Sequence, residues 1–184
     1  IERGGLQVRL GFIGTGTMGN PMVRCLLEAG HQVKVNDLNR KATTALCELG
    51  ATWAETPQET AEHSQVVFTS LPGPTQVEAV LMNPESGILA ALGSGSAFID
   101  MTTNAPAVAR RLAEICHQHG IQTLDAPVSG RPPGMTIMVG GEQETFAKYK
   151  PVLETMGRNI FYVGGTGTGC IDYRIHSTQV KAVT

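Results

Sequence analysis

The chain has 184 residues, of which 41% are hydrophobic and 16% charged, and a mean hydropathy of -0.02, a composition that supplies a buried core and excludes disorder and a coiled coil. Fourteen Lys and Arg against 16 Asp and Glu leave a net charge of -2 with no basic block, so neither a nucleic-acid surface nor an anionic-membrane surface is expected, and small-molecule partners are favoured.

Residues 7–13 (QVRLGFI) are rich in aliphatic side chains and read as a strand that runs into Gly14-Thr15-Gly16-Thr17-Met18-Gly19. Residues 21–30 then read as a helix. Pro21 suits a first turn, Met22, Val23, Leu26 and Leu27 recur at helical spacing, and Gly30 suits the end. Val33 and Val35 alternate with polar residues up to Asp37, giving a second strand, and residues 40–49 form a second helix closed by Gly50. The unit from Gln7 to Asp37 is therefore βαβ. Downstream, residues 65–70 predict a strand, 72–74 a Pro-Gly-Pro turn, 97–100 a strand, 106–119 a helix, 121–124 and 136–139 strands, 142–156 a helix and 160–163 a last strand. Strands alternating with helices imply a mostly parallel sheet covered on both faces.

Gly14, Gly16 and Gly19 lie between a predicted strand and a predicted helix, and Asp37 follows 18 residues after Gly19. Each residue has a mechanical reason in a dinucleotide site. Gly14 permits the tight turn, Gly16 lets a pyrophosphate approach the backbone, and Gly19 lets helix and strand pack closely. The helix N-terminus offers free N–H groups to the phosphates. Asp37 would accept hydrogen bonds from the adenosine ribose and repel a 2′-phosphate, which favours NAD over NADP, while Arg40 either swings toward such a phosphate or is simply solvated. The fold class expected is α/β, a Rossmann-type doubly wound, mostly parallel sheet. Residues 1–163 would be the dinucleotide-binding domain and residues 164–184 a glycine-rich linker and short tail.

Cys25, Cys47, Cys116 and Cys170 form no Cys-x-x-Cys pair, and no basic stretch leads into an apolar core near the N-terminus. Reduced thiols and a cytoplasmic or mitochondrial-matrix location are expected, with no membrane insertion. His31, His63, His117, His119 and His176 offer no metal-ligand pattern.

Five segments in order, GFIGTGTMGNPM (11–22), SLPGP (70–74), IDMTT (99–103), DAPVSG (125–130) and MVGG (138–141), make the chain resemble the β-hydroxyacid dehydrogenase family, 3-hydroxyisobutyrate dehydrogenase-like. The likeness covers residues 7–169. It implies that Thr15, Thr17 and Met18 join the three glycines and Asp37 in holding the cofactor, with Leu71 and Pro72 beside its ribose and nicotinamide half. Thr103 would approach the nicotinamide ribose or the substrate, and Ser129 with Gly130 would bind the substrate carboxylate. Beside these roles stand plainer ones: Pro72 and Pro74 as turn formers, Thr103 as a helix cap and Ser129 as a turn serine. The activity implied is hydride transfer between nicotinamide and a short hydroxy acid, in a chain able to form a homo-oligomer.

The chain departs from the family pattern in two places. Arg131-Pro132-Pro133-Gly134 bridges a stretch in which the family carries a second glycine and more residues, and Arg131 either pairs with a carboxylate or is solvated. The family's acid/base lysine falls four residues after the last glycine, at position 173, where Tyr173 stands; His176 replaces the following asparagine and Lys181 lies too far along. The resemblance therefore assigns no catalytic residue here. The family's all-helical second domain, on the order of a hundred residues, falls outside the 184. Two other functions stay open, a non-catalytic dinucleotide-binding module and a 6-phosphogluconate dehydrogenase-like enzyme.

Overall fold

Strand β1 (Arg9–Ile13), helix α1 (Gly19–Glu28) and strand β2 (Gln32–Asn36) build the first βαβ unit of a computed structural model that describes residues 7–173. Strands β3 (Thr52–Trp53), β4 (Val66–Thr69), β5 (Ala97–Asp100) and β6 (Gln122–Asp125) extend it into a parallel sheet of order β3-β2-β1-β4-β5-β6. Beyond β6 the direction changes. Strand β7 (Val128–Ser129) forms a hairpin with β8 (Thr136–Gly141), β8 runs antiparallel to β6, and the last strand, β9 (Asn159–Gly164), runs parallel to β8. The expected mostly parallel sheet is present with a reversed edge.

Period-2 alternation of side chains explains why both faces are covered. Leu10 and Phe12 of β1, Val66 and Phe68 of β4, and Ala97 and Ile99 of β5 point to one face, where α1 contributes Met22, Val23 and Leu26. Helix α6 (Gln143–Met156) closes the same face with Tyr149, Val152, Leu153 and Met156. Ile13, Val67 and Phe98 point to the other face. There they meet Val77 and Leu81 of α4 (Pro74–Met82) and Leu112 and Cys116 of α5 (Pro106–Gln118).

The structure differs from the sequence reading mainly in short elements. The helix expected over 40–49 is a 3-10 turn at Arg40–Thr43 followed by helix α2 (Thr44–Glu48). β3, α4, β7 and helix α3 (Pro57–Ala61) were not expected. Strands of two residues and helices of five carry too little periodicity to register. Pro74 marks α4 in retrospect: it is a first-turn proline rather than the end of a turn. The same applies to α3, where the Thr56 hydroxyl accepts from the Glu59 N–H ahead of Pro57.

Candidate functional site at the carboxyl edge of the sheet

Ile13, Thr69, Asp100 and Asp125 stand side by side at the carboxyl ends of β1, β4, β5 and β6. The cofactor-directed residues expected from sequence lie in loops leaving this edge, except Gly19, the first residue of α1; this edge is where open α/β sheets bind ligands. The turn after β1 is held from behind. Gly14 has φ +92, and a Cβ there would lie 2.3 Å from the Ser70 carbonyl oxygen. A Cβ on Gly19 would lie 1.9 Å from the Gly14 carbonyl oxygen, so α1 can start here only with glycine. Gly16 is different: apart from its chain neighbours, no described residue lies within 4 Å of where its Cβ would be. Gly14 and Gly19 are required by the protein itself, whereas Gly16 leaves room for something else.

Asp37 follows β2 and closes the turn. Its Oδ2 accepts the Thr15 N–H at 2.7 Å and the Thr15 hydroxyl at 3.2 Å, and its Oδ1 accepts the Asn39 N–H at 2.8 Å. Thr15 is thereby buried and turned inward, while Gly16 and Thr17 are exposed. Among the described residues none accepts from the N–H groups of Thr17 or Met18, and α1 has no side-chain cap and no acid in its first turn. Unpaired N–H groups at the positive end of a helix, in front of an open glycine, fit the pyrophosphate of a dinucleotide. Three of the four lone-pair positions of the Asp37 carboxylate are used, which leaves acceptor capacity for a ribose hydroxyl.

The loop after β4 packs against this turn, since a Gly14 Cβ would also approach Leu71 Cδ2 at 2.8 Å. Leu71 is half-buried and Pro72 exposed beside it. The Leu71 N–H donates to the Thr102 hydroxyl at 3.0 Å, which links the loops after β4 and β5. Thr103 is exposed between two buried neighbours, Thr102 and Asn104. Asp100 anchors the group: its carboxylate accepts from the Thr69 hydroxyl (2.8 Å), the Thr102 N–H (3.0 Å) and the Asn104 amide (2.8 Å). Burial raises the Asp100 carboxyl above its ordinary value, opposed by the hydrogen bonds from Thr102, Asn104 and Thr69. The Asn104 side-chain oxygen is buried and has no hydrogen-bond partner among the described residues.

Sequence reasoning missed the part played by Asp125, the first residue of DAPVSG. Its Oδ1 accepts the Gly167 N–H at 2.7 Å and its Oδ2 the Cys170 N–H at 3.1 Å. The segment after β9 is clamped onto the end of β6, with Gly140 and Gly169 each too close to Asp125 to carry a side chain. Burial raises the Asp125 carboxyl, and burial together with Asp125 pushes the Cys170 thiol up to about 12, so Cys170 is no nucleophile. Residues 168–173 are helical, and Tyr173 sits half-buried at the end of that stretch. His176 and Lys181 lie outside the described residues. Ser129 pairs with Thr136 across β7 and β8 and is exposed, and Gly130 begins the hairpin loop with φ +83. No hydrogen bond joins Ser129 or Gly130 to the glycine turn among the described residues. A surface depression of about 570 Å³ is lined by Arg110, Glu114, His117, Gln122 and Glu142 among others and shares no residue with the glycine turn. Among the described residues there is no metal-binding cluster, and no helix is long and apolar enough to cross a membrane.

The model of the NAD binding domain of 6-phosphogluconate dehydrogenase matches residues 9–164. The chain belongs to the β-hydroxyacid dehydrogenase family through this NAD-binding domain. The 3-hydroxyisobutyrate dehydrogenase of Pseudomonas aeruginosa is 42% identical over 165 residues, covering 87% of this chain and 55% of that relative. The 2-hydroxy-3-oxopropionate reductase of Escherichia coli is 40% identical over 167 residues, covering 88% of this chain and 56% of the reductase. Among solved structures, 3-hydroxyisobutyrate dehydrogenase of Mycobacterium tuberculosis with L-serine superposes with a TM-score of 0.89 at 31% identity, covering 97% of this chain and 61% of that one. The chain thus spans little more than half the length of the β-hydroxyacid dehydrogenases it matches.

Proposed function

We propose that this chain is the cofactor domain of an NAD-dependent β-hydroxyacid dehydrogenase acting on a short hydroxy acid. The observation that carries the reading is the glycine turn itself: an open Gly16 beside Asp37, with Thr17 and Met18 N–H groups that have no acceptor among the described residues. Gly14, Gly16 and Gly19 shape the cradle, and Thr17 and Met18 donate to the pyrophosphate. Asp37 accepts from the adenosine ribose, with Thr15 holding its carboxylate in place. Leu71, Pro72 and Thr103 flank the nicotinamide half, and Ser129 with Gly130 receives the substrate carboxylate. When bound, the nicotinamide supplies the hydride acceptor; the protein supplies orientation.

The domain assignment belongs to the same proposal, with residues 1–163 holding the cofactor and 164–184 as a glycine-rich linker and short tail, whose Gly167 and Cys170 bond back to Asp125. So does the partner set, a small hydroxy acid and a second copy of the chain. The exposed aromatic residues of the edge strand β9, Phe161 and Tyr162, support association. One observation favours a second reading, a non-catalytic dinucleotide-binding module: Tyr173 stands where the resemblance places the acid/base lysine. General acid/base catalysis contributes about 10²–10⁴-fold, and a phenol stands where the family carries an amine.

Titrating the chain with NADH, then mixing it with NAD⁺ and 3-hydroxyisobutyrate, L-serine, glycerate, 4-hydroxybutyrate or 6-phosphogluconate while following NADH formation, tests both readings. Saturable NADH binding with turnover far below the about 1–10³ per second of ordinary enzymes is expected. Absence of NADH binding would overturn the cofactor assignment. Ordinary turnover would show that Tyr173 or another group replaces the lysine.

A further inference from the structure

The geometry points to Trp53 and Glu55 as residues that discriminate against a 2′-phosphorylated cofactor, by holding the Arg40 guanidinium away from the adenosine ribose. The inference rests on the dinucleotide reading of the glycine turn and deepens it. Arg40 opens the 3-10 turn that follows Asp37 and Asn39, so it is placed to meet a phosphate on the ribose hydroxyl that Asp37 would bind. Its guanidinium instead lies over the Trp53 ring, 5.3 Å from the centroid, with Nη1 3.5 Å from Glu55 Oε1. Trp53 ends β3 and Glu55 follows it, on the side of β2 away from β1.

Two features keep those partners in place. The β3 end is tied to β2, since the Ala54 N–H donates to the Val35 carbonyl at 2.9 Å and Asn36 donates to the Ala54 carbonyl at 2.9 Å. The Glu55 N–H donates to the Glu59 carboxylate at 2.7 Å, which fixes the backbone that carries the Glu55 side chain. A guanidinium stacked on Trp53 and paired with Glu55 must leave both to fork onto a phosphate. The cost of that departure falls on NADP(H) alone, because NAD(H) asks nothing of Arg40. Asp37 repels the phosphate directly, while Trp53 and Glu55 withhold the cation that would offset the repulsion.

The magnitude is modest, because Arg40 and Glu55 are both largely exposed. Exposed ion pairs and exposed cation–π contacts each shift an equilibrium by about twofold to fivefold. The test is calorimetric titration of the unaltered chain and of Glu55→Gln, Trp53→Leu, Arg40→Gln and the Arg40→Gln/Glu55→Gln pair with NADH and NADPH. Glu55→Gln is expected to tighten NADPH by about twofold to fivefold and leave NADH unchanged. Trp53→Leu is expected to act in the same direction, and its fold is checked by its NADH affinity. The gain from Glu55→Gln must vanish in the Arg40→Gln background. That control separates release of Arg40 from the mere loss of a negative charge. NADPH affinity that does not move in Glu55→Gln, or a gain that survives without Arg40, would overturn the inference while NADH binding keeps the cofactor reading intact. An unaltered chain that binds neither dinucleotide would overturn both.

Discussion

At the scale of single residues, the glycines of the turn separate into two kinds, and the separation predicts opposite phenotypes. Gly14 is hemmed in by Ser70 and Leu71 with φ +92, whereas Gly16 faces open space. Gly14→Ala therefore forces a side chain into backbone and an unfavourable φ, at about 1–3 kcal/mol of stability. Gly16→Val places its Cβ where no described residue beyond its chain neighbours lies within 4 Å and should stay within about 0.5 kcal/mol of the unaltered chain in a denaturant titration. Its isopropyl group would fill the space that the proposed function gives to the pyrophosphate, so NADH binding should disappear. Normal NADH affinity in Gly16→Val would remove the glycine turn from the cofactor site. The spacing of Gly14, Gly16, Gly19 and Asp37 made these four residues legible in the sequence, because each is dictated by local backbone geometry. The Thr15–Asp37 hydrogen bonds were not legible, since a threonine between two glycines reads equally well as exposed. IDMTT drew attention to Thr103, yet the residues that organise the loop are Thr102 and Asn104 on either side, for a strand end does not reveal which of its side chains turn inward.

At the scale of elements, the strands read from the sequence are those of four or more residues, and the two missed, β3 and β7, have two each; the two-face alternation follows from the same residues. What sequence spacing does not show is the contact between segments far apart in the chain. Asp125 and Gly167 are 42 residues apart and bonded at 2.7 Å, a link that explains why an aspartate opens DAPVSG and why glycines recur at 140 and 169. Replacing Asp125 by Asn keeps one acceptor oxygen for two N–H donors, and one buried donor left unpaired costs about 1–3 kcal/mol. That cost depends on pH in a definite direction. Burial raises the folded carboxyl above its ordinary value, so between about 3.9 and the folded value the native state holds a proton that the unfolded chain has released. The stability that Asp125 contributes through this linkage is present in full below about 3.9 and is lost as pH rises through the folded value. The stability difference between the unaltered chain and Asp125→Asn should therefore shrink as pH rises across that window, measured by urea unfolding at each pH. A difference that grows with pH would mean that the Asp125 carboxyl is lowered, with the two N–H donors outweighing burial.

At the scale of the whole molecule, the described residues form one sheet covered on both faces, and the glycine turn is built from three separate stretches of it: the β1–α1 turn, the end of β2 and the loop after β4. Such a site exists only in the folded state, because no one of these stretches holds Gly14, Asp37 and Leu71 together by itself. A ligand that binds the native state and not the unfolded chain stabilises it by RT ln(1 + [L]/Kd), about 2.7 kcal/mol at a hundredfold excess over Kd. For a domain of this size each kcal/mol raises the unfolding temperature by about 2–4 °C, so saturating NADH should raise it by about 5–11 °C. The shift should be absent in Gly16→Val, whose fold is intact, and smaller with NADPH at the same concentration because Asp37 and the restrained Arg40 weaken that cofactor. It should not require a hydroxy acid, since Ser129 and Gly130 lie on the β7–β8 hairpin and no hydrogen bond among the described residues connects them to the turn. Scanning fluorimetry with NADH, NADPH and L-serine, alone and combined, measures all of these at once. An NADH shift that appears only when L-serine is present would mean that the two sites close on each other, and that the cofactor turn is not preformed as the bonds from Thr15 to Asp37 make it.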